Sequence, residues 1–168
     1  MTAHDPLRTF RRPWYIDFVT RSADTYAEFV DLLASGHSAG PVPAQEVEAA
    51  EQELGVCFPK QYRDFLMRYG AILAPGLEIY GLVEPVLNDP PLWTDIRRET
   101  RRLRTVGQVG TEDASFLPIA DDGFGNYYFL NTAAAPEGEI WMIGPYGREI
   151  VSTNLYDFAL RRSAGSLG

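Results

Sequence analysis

Residues 51–71 read EQELGVCFPKQYRDFLMRYGA, and the two glycines and one proline in this stretch leave little choice of fold. Upstream, Val47, Ala50 and Leu54 recur at helical spacing over Ala44–Leu54, with Glu46, Gln52 and Glu53 turned away and Glu51 at the margin. Gly55 suits the left-handed backbone that ends a helix. Val56-Cys57-Phe58 then reads as an apolar joint, with Cys57 expected as a buried, unreactive thiol. Pro59 fits the first turn of a second helix, where its missing N–H costs nothing. The stripe Tyr62, Phe65, Leu66, Tyr69 follows and stops at Gly70. The spacing predicts a helix–joint–helix unit, and its lack of histidine and serine makes it a scaffold rather than a site of chemistry.

The flanking segments extend this unit into a mixed fold. Tyr26, Phe29, Val30 and Leu33 predict a helix over residues 22–33, with Ser22 or Asp24 as caps and Gly36 as its stop. Residues 14–19, WYIDFV, read as a short strand or a docked arm. Residues 37–43, HSAGPVP, read as a linker. This predicts an N-terminal extension with one helix over residues 1–42 and a main domain over residues 43–168. A strand is expected at residues 77–82. A helix starting at residues 88–91 would carry Trp93, Ile96, Thr100 and Leu103 on one face. Strand-like runs follow at residues 116–120, 126–131, 139–143 and 148–151, the first two joined by a glycine-containing hairpin loop. Asn154 can cap a last helix holding Leu155, Phe158 and Ala159. This order of elements predicts an α+β fold, a mostly antiparallel sheet packed with several helices in a single domain.

The sequence holds no constellation of residues that points to catalysis or metal binding. The chain has 168 residues, 2 histidines and 1 cysteine. His4 lies near the terminus and His37 in the expected linker, so neither has the rigid support of a catalytic base. One cysteine and two separated histidines give no zinc spacing, and residues 121–126 lack the ligand order of a calcium loop. No phosphate-cradling glycine pattern occurs, and nothing among the 23 acids selects a catalytic pair. No cofactor, metal or catalytic residue is therefore expected. The net charge of −8 disfavours nucleic acid, and the Arg97, Arg98, Arg101, Arg102, Arg104 cluster reads as a solvated helix face. No apolar run is long enough to span a bilayer, and residues 1–18 lack the apolar core of a secretion signal, so the chain is expected in the cytoplasm.

The pattern E-x-x-L-G-x-x-F-P-x-x-Y-x-x-F-L-x-x-Y-G over residues 51–70 resembles the core motif of the SUKH superfamily. The matching residues are Glu51, Leu54, Gly55, Pro59, Tyr62, Phe65, Leu66 and Gly70. A later element, Ile79-Tyr80-Gly81-Leu82, and the hairpin Leu117-Pro118-Ile119-Ala120-Asp121-Asp122-Gly123-Phe124-Gly125-Asn126 resemble the family's next motifs in the right order. Ala71 departs from the usual second glycine. The resemblance implies a SUKH-like α+β fold. It also implies a non-enzymatic immunity protein that binds a secreted polymorphic or contact-dependent toxin and neutralises it in the producing bacterium. Fungal relatives, active in cell-wall regulation, imply the alternative of a regulatory module with an endogenous partner. An acidic chain would be steered towards a basic, nuclease-type toxin domain. Exposed acids and an aromatic near one edge, Glu46, Glu53, Asp121, Asp122 and Phe124, are the expected contact residues.

Overall fold

The computed structural model describes residues 13–84, 92–134 and 136–167, and side chains from residue 23 onward. In chain order the elements are α1 (Pro13–Leu33), β1 (His37–Ser38), α2 (Ala44–Leu54), α3 (Lys60–Tyr69), β2 (Ile72–Ala74) and β3 (Leu77–Ile79). They continue with α4 (Ile96–Thr105), β4 (Phe116–Asp121), β5 (Tyr127–Asn131), β6 (Glu139–Gly144), β7 (Gly147–Ser152) and α5 (Leu155–Ser163). Two antiparallel sheets form, in the orders β1-β2-β3 and β4-β5-β6-β7. The fold is α+β, as the order of elements predicted.

The helix–joint–helix unit forms as expected. Val47, Ala50 and Leu54 are buried on α2, and Gly55 closes it in the left-handed region at φ 71°. Tyr62, Phe65 and Leu66 are buried on α3. Each polar motif residue has a structural task. Glu51 Oε1 accepts the N–H of Phe58 at 2.7 Å and Oε2 pairs with Arg63 at 2.5 Å, which pins the joint. The buried Tyr62 hydroxyl donates to the carbonyl of Tyr80 at 2.8 Å. Cys57 departs from expectation, because it is exposed. The extended joint sends neighbouring side chains to opposite sides, and Phe58, held by Glu51, takes the inward one.

Three chain segments cross at the glycines of the motif. Ala39 N–H donates to Ala71 O at 2.9 Å, Gly40 N–H to Tyr69 O at 3.1 Å, and Leu82 N–H to Gly70 O at 3.1 Å. A Cβ at Gly70 would lie 2.4 Å from Gly40 O, and one at Gly81 would lie 1.6 Å from Gly70 O. Only hydrogen side chains permit this approach. Ala71 replaces the second glycine at no strain, because no non-glycine residue in the described chain has positive φ.

Several predicted boundaries shift. Residues 14–19 are helical, part of α1, because Tyr15, Val19 and Ser22 continue the spacing of Tyr26, Phe29 and Leu33. Positions 22 and 24 therefore lie inside α1 rather than at its start. Residues 37–43 carry β1, which pairs His37 with Leu73 and Ser38 with Ile72. A Gly, Ser and Pro composition does not report backbone pairing by a two-residue edge strand. The strand expected at residues 77–82 stops at Ile79, since Tyr80 N–H turns to Ile119 O at 2.7 Å and Gly81 bridges Asp95. The start predicted for α4 at residues 88–91 lies outside the described residues. The described helix begins after Asp95, whose carboxylate caps the N–H groups of Arg97 and Arg98. Ile96, Thr100 and Leu103 are buried on it, while Trp93 precedes it.

The core lies between the two sheets and the helices. Leu117, Tyr128, Leu130 and Ile140 of the larger sheet join Phe29, Phe65, Ile79 and Phe158 in one apolar cluster. The opposite face of that sheet carries Phe116, Phe129, Trp141 and Ile143. Gly110, in the segment after α4, lies against Phe129 and Ile143.

Candidate functional site

The antiparallel register fixes where the hairpin tips of the larger sheet lie. Tyr127 opposes Ile143 and Gly144 opposes Gly147, so the β4–β5 loop and the β6–β7 turn share one end. They also touch. Asn126 Oδ1 would be 1.8 Å from a Cβ placed on Gly144, and a Cβ on Gly125 would meet Pro145 at 3.8 Å.

Hydrogen bonds from the loop's own backbone freeze it. Asp122 Oδ1 accepts the N–H groups of Phe124 at 2.8 Å and Asn126 at 3.0 Å, and Oδ2 accepts Asn126 Nδ2 at 2.6 Å. Partial burial opposes ionisation of Asp122, but these donors prevail and hold its carboxyl below the ordinary range. Asp121 accepts the Gly123 N–H at 2.6 Å and the hydroxyl of Tyr80. Burial, then the bond to Asp121, pushes the Tyr80 phenol far up, so it stays a proton donor at any ordinary pH. The two acids thus build the loop, and their charge is half spent on it.

What this frame presents is aromatic. Phe124 is 91% exposed and Tyr146 is 100% exposed, on adjoining tips. Neither side chain is needed by the fold. Large rings held on rigid turns give contact area at low entropic cost, and such residues dominate protein interfaces. Phe124 was among the expected contact residues. Tyr146 is not among them, although Gly144-Pro145-Tyr146-Gly147 between two strand-like runs spells a tight turn with an aromatic at its apex.

The remaining two expected residues stand on α2. Glu53 pairs with Arg101 of α4 at 3.0 Å, and Arg102 reaches the Tyr127 hydroxyl at 3.0 Å, so α4 bridges α2 to the base of the tip. Glu46 is exposed in the first turn of α2, beside Pro43, Leu82 and Arg97. The arginine cluster is largely consumed internally. Arg97 pairs with Asp95 at 2.8 Å, Arg102 with Glu99 at 2.6 Å, and Arg104 donates to Ala114 O at 3.0 Å. Among the described residues no group of three or more His, Cys, Asp or Glu could hold a metal, and no helix is long and apolar enough to cross a membrane.

The family model SUKH_6, described as SMI1-KNR4 cell-wall, matches residues 44–158, more than half of the chain. No curated protein matches the chain.

Proposed function

We propose that this chain, which belongs to the SUKH superfamily, is a non-enzymatic immunity protein of the bacterial cytoplasm. It binds a cognate secreted polymorphic or contact-dependent toxin and occludes it in the producing cell. The observation that carries this reading is the pair of exposed aromatics, Phe124 and Tyr146, on two braced and adjoining turns. Occlusion requires a rigid, desolvatable surface and no reacting group, which is what these tips offer. The contact surface is centred on Phe124 and Tyr146, with Asp121 and Asp122 beneath and Glu53 and Glu46 on the adjoining α2. A charge of −8 steers a basic, nuclease-type domain towards it.

The test is co-expression with the toxin domain encoded beside this gene. Growth should be rescued, and Phe124→Ala with Tyr146→Ala should weaken the complex by about tenfold or more while leaving the urea midpoint unchanged. Cells that die despite equal expression of the unmodified chain would sink the proposal. The cell-wall association in the family's name favours a second reading, a regulatory binding module with an endogenous partner. It predicts a stoichiometric complex with one endogenous protein in cells lacking any toxin locus.

A further inference from the structure

The larger sheet has two edges, and they differ. At the β4 edge, Tyr80 N–H closes onto Ile119 O at 2.7 Å and β3 packs alongside. At the other edge, β7 pairs with β6 on its inner side and, among the described residues, has no strand on its outer side. Gly147, Arg148, Glu149 and Ile150 are exposed in succession, so the strand is open on both faces as well as along its rim. Its far end is covered, where Arg161 Nη1 donates to Val151 O at 2.7 Å. An open edge presents alternate N–H and C=O groups unpaired, ready for another extended chain.

A cavity adjoins this edge. Gly110, Glu112, Asp113, Phe116, Ile143 and Arg148 enclose about 280 Å³ between the segment after α4 and the start of β7. Its floor is apolar, from Phe116 and Ile143. Its rim carries two carboxylates against one guanidinium. Glu112 Oε2 accepts the Gly110 N–H at 2.7 Å, and Asp113 Oδ1 accepts both the N–H and the hydroxyl of Ser115 at 2.8 Å. Backbone donors hold both acids below the ordinary range, so both are charged at neutral pH. Arg148 opposes Ile143 across the ladder, so its side chain marks the face on which the cavity lies.

We propose that β7 receives an extended strand of the partner protein, whose lysine or arginine side chain enters this cavity. The main chain pairs along residues 147–150. The aliphatic stem of the guest passes beside Arg148 towards Ile143, and its cation meets Glu112 and Asp113. Main-chain pairing supplies affinity and the side-chain pocket supplies selectivity. Because Tyr146 immediately precedes β7, the strand would continue the contact begun at the aromatic tips. This inference rests on the protein-binding reading above and specifies how the partner is held.

The probe is the toxin domain encoded beside the gene, with the full chain studied by amide hydrogen exchange and by titration. On complex formation the amides of residues 148–150 should slow by about tenfold or more. Glu112→Lys should weaken binding by about tenfold, and Arg148→Glu, which removes the competing cation, should tighten it. The opposed signs separate charge recognition from damage to the fold, which would weaken both. A complex that forms while these amides exchange as in the free chain, or two substitutions that act in the same direction, would overturn the strand docking and leave the protein-binding reading standing. A toxin domain that does not bind at all overturns both.

Discussion

Three glycine-to-alanine variants separate the causes that fix glycine in the motif. Gly55 has φ 71° and nothing within 4 Å of an added Cβ, so alanine there bears only the left-handed strain, about 1 kcal/mol. Gly81 has no positive φ, but its Cβ would stand 1.6 Å from Gly70 O and 2.7 Å from Gly70 C. Contacts below 3.0 Å essentially do not occur for real Cβ atoms. The Gly70 carbonyl would therefore retreat by more than an ångström, and it carries the Leu82 hydrogen bond. Backbone cannot escape by changing rotamer, so the cost is at the upper end of overpacking, about 3 kcal/mol or more. Gly70 combines both, with φ 67° and a Cβ 2.4 Å from Gly40 O, and should cost the most. Against a typical domain stability of about 5–15 kcal/mol, the Gly70 and Gly81 variants should be marginal and Gly55→Ala well folded. Urea unfolding followed by tryptophan fluorescence measures the series, with unchanged slope confirming that only stability moved. Gly81→Ala within about 1 kcal/mol of the parent, or less harmful than Gly55→Ala, would refute the crossing as the reason for these glycines.

Three further outcomes follow from the packing and the charges. Leu66→Asp, which buries an unpaired carboxylate at a fully covered position, should abolish soluble folding, whereas Glu46→Lys on the exposed face of α2 should leave the unfolding free energy within about 0.5 kcal/mol of the parent. Burial opposes ionisation of Asp95, yet Arg97 and the N–H groups of Val83 and Arg98 hold its carboxyl below the usual range. A depressed folded-state pKa stabilises above the unfolded value and is lost as pH falls through the folded one, so stability should be flat from pH 7 to 5 and drop below about pH 4. Asp95→Asn should flatten that drop, as read from urea midpoints across pH. Removing residues 1–42 exposes the site of Phe29, a fully buried ring 4.7 Å from Tyr156, and strips β1 from its sheet. We therefore expect the shortened chain to lose about 3 kcal/mol or more by the same assay.

The parts of the fold legible in the sequence are those where local pattern and tertiary demand coincide. Val47, Ala50 and Leu54, and Tyr62, Phe65 and Leu66, are buried because helical spacing alone places them on one face. Asn154 caps α5 through its own short-range bonds to Tyr156 and Asp157. What was not legible depended on distant backbone. Strands β1 and β2 are two and three residues long and exist through pairing with each other and with β3, which no composition reports. Cys57 lies in an apolar triplet, but its side was decided by a hydrogen bond from Phe58 to Glu51, seven residues away. Among the expected contact residues, Asp121 and Asp122 spend their carboxylates on the loop that holds them, since acids in a tight loop satisfy that loop's own amides first.

That duty explains why the family signature can be plain while the partner stays hidden from it. Glu51, Tyr62, Gly70 and Gly81 are each consumed by a joint, a buried hydroxyl or a backbone crossing, and none presents a group to another molecule. The same holds in the hairpin motif, where Asp122 and Asn126 fix the turn and dock it on Gly144. The middle of the three positions between them is Phe124, flanked by two glycines, and its side chain is exposed. A rigid frame with one unconstrained residue at its apex lets the contact change without cost to the fold. Under the proposed function, binding specificity falls to residues the fold leaves undetermined, Phe124 and Tyr146 first among them.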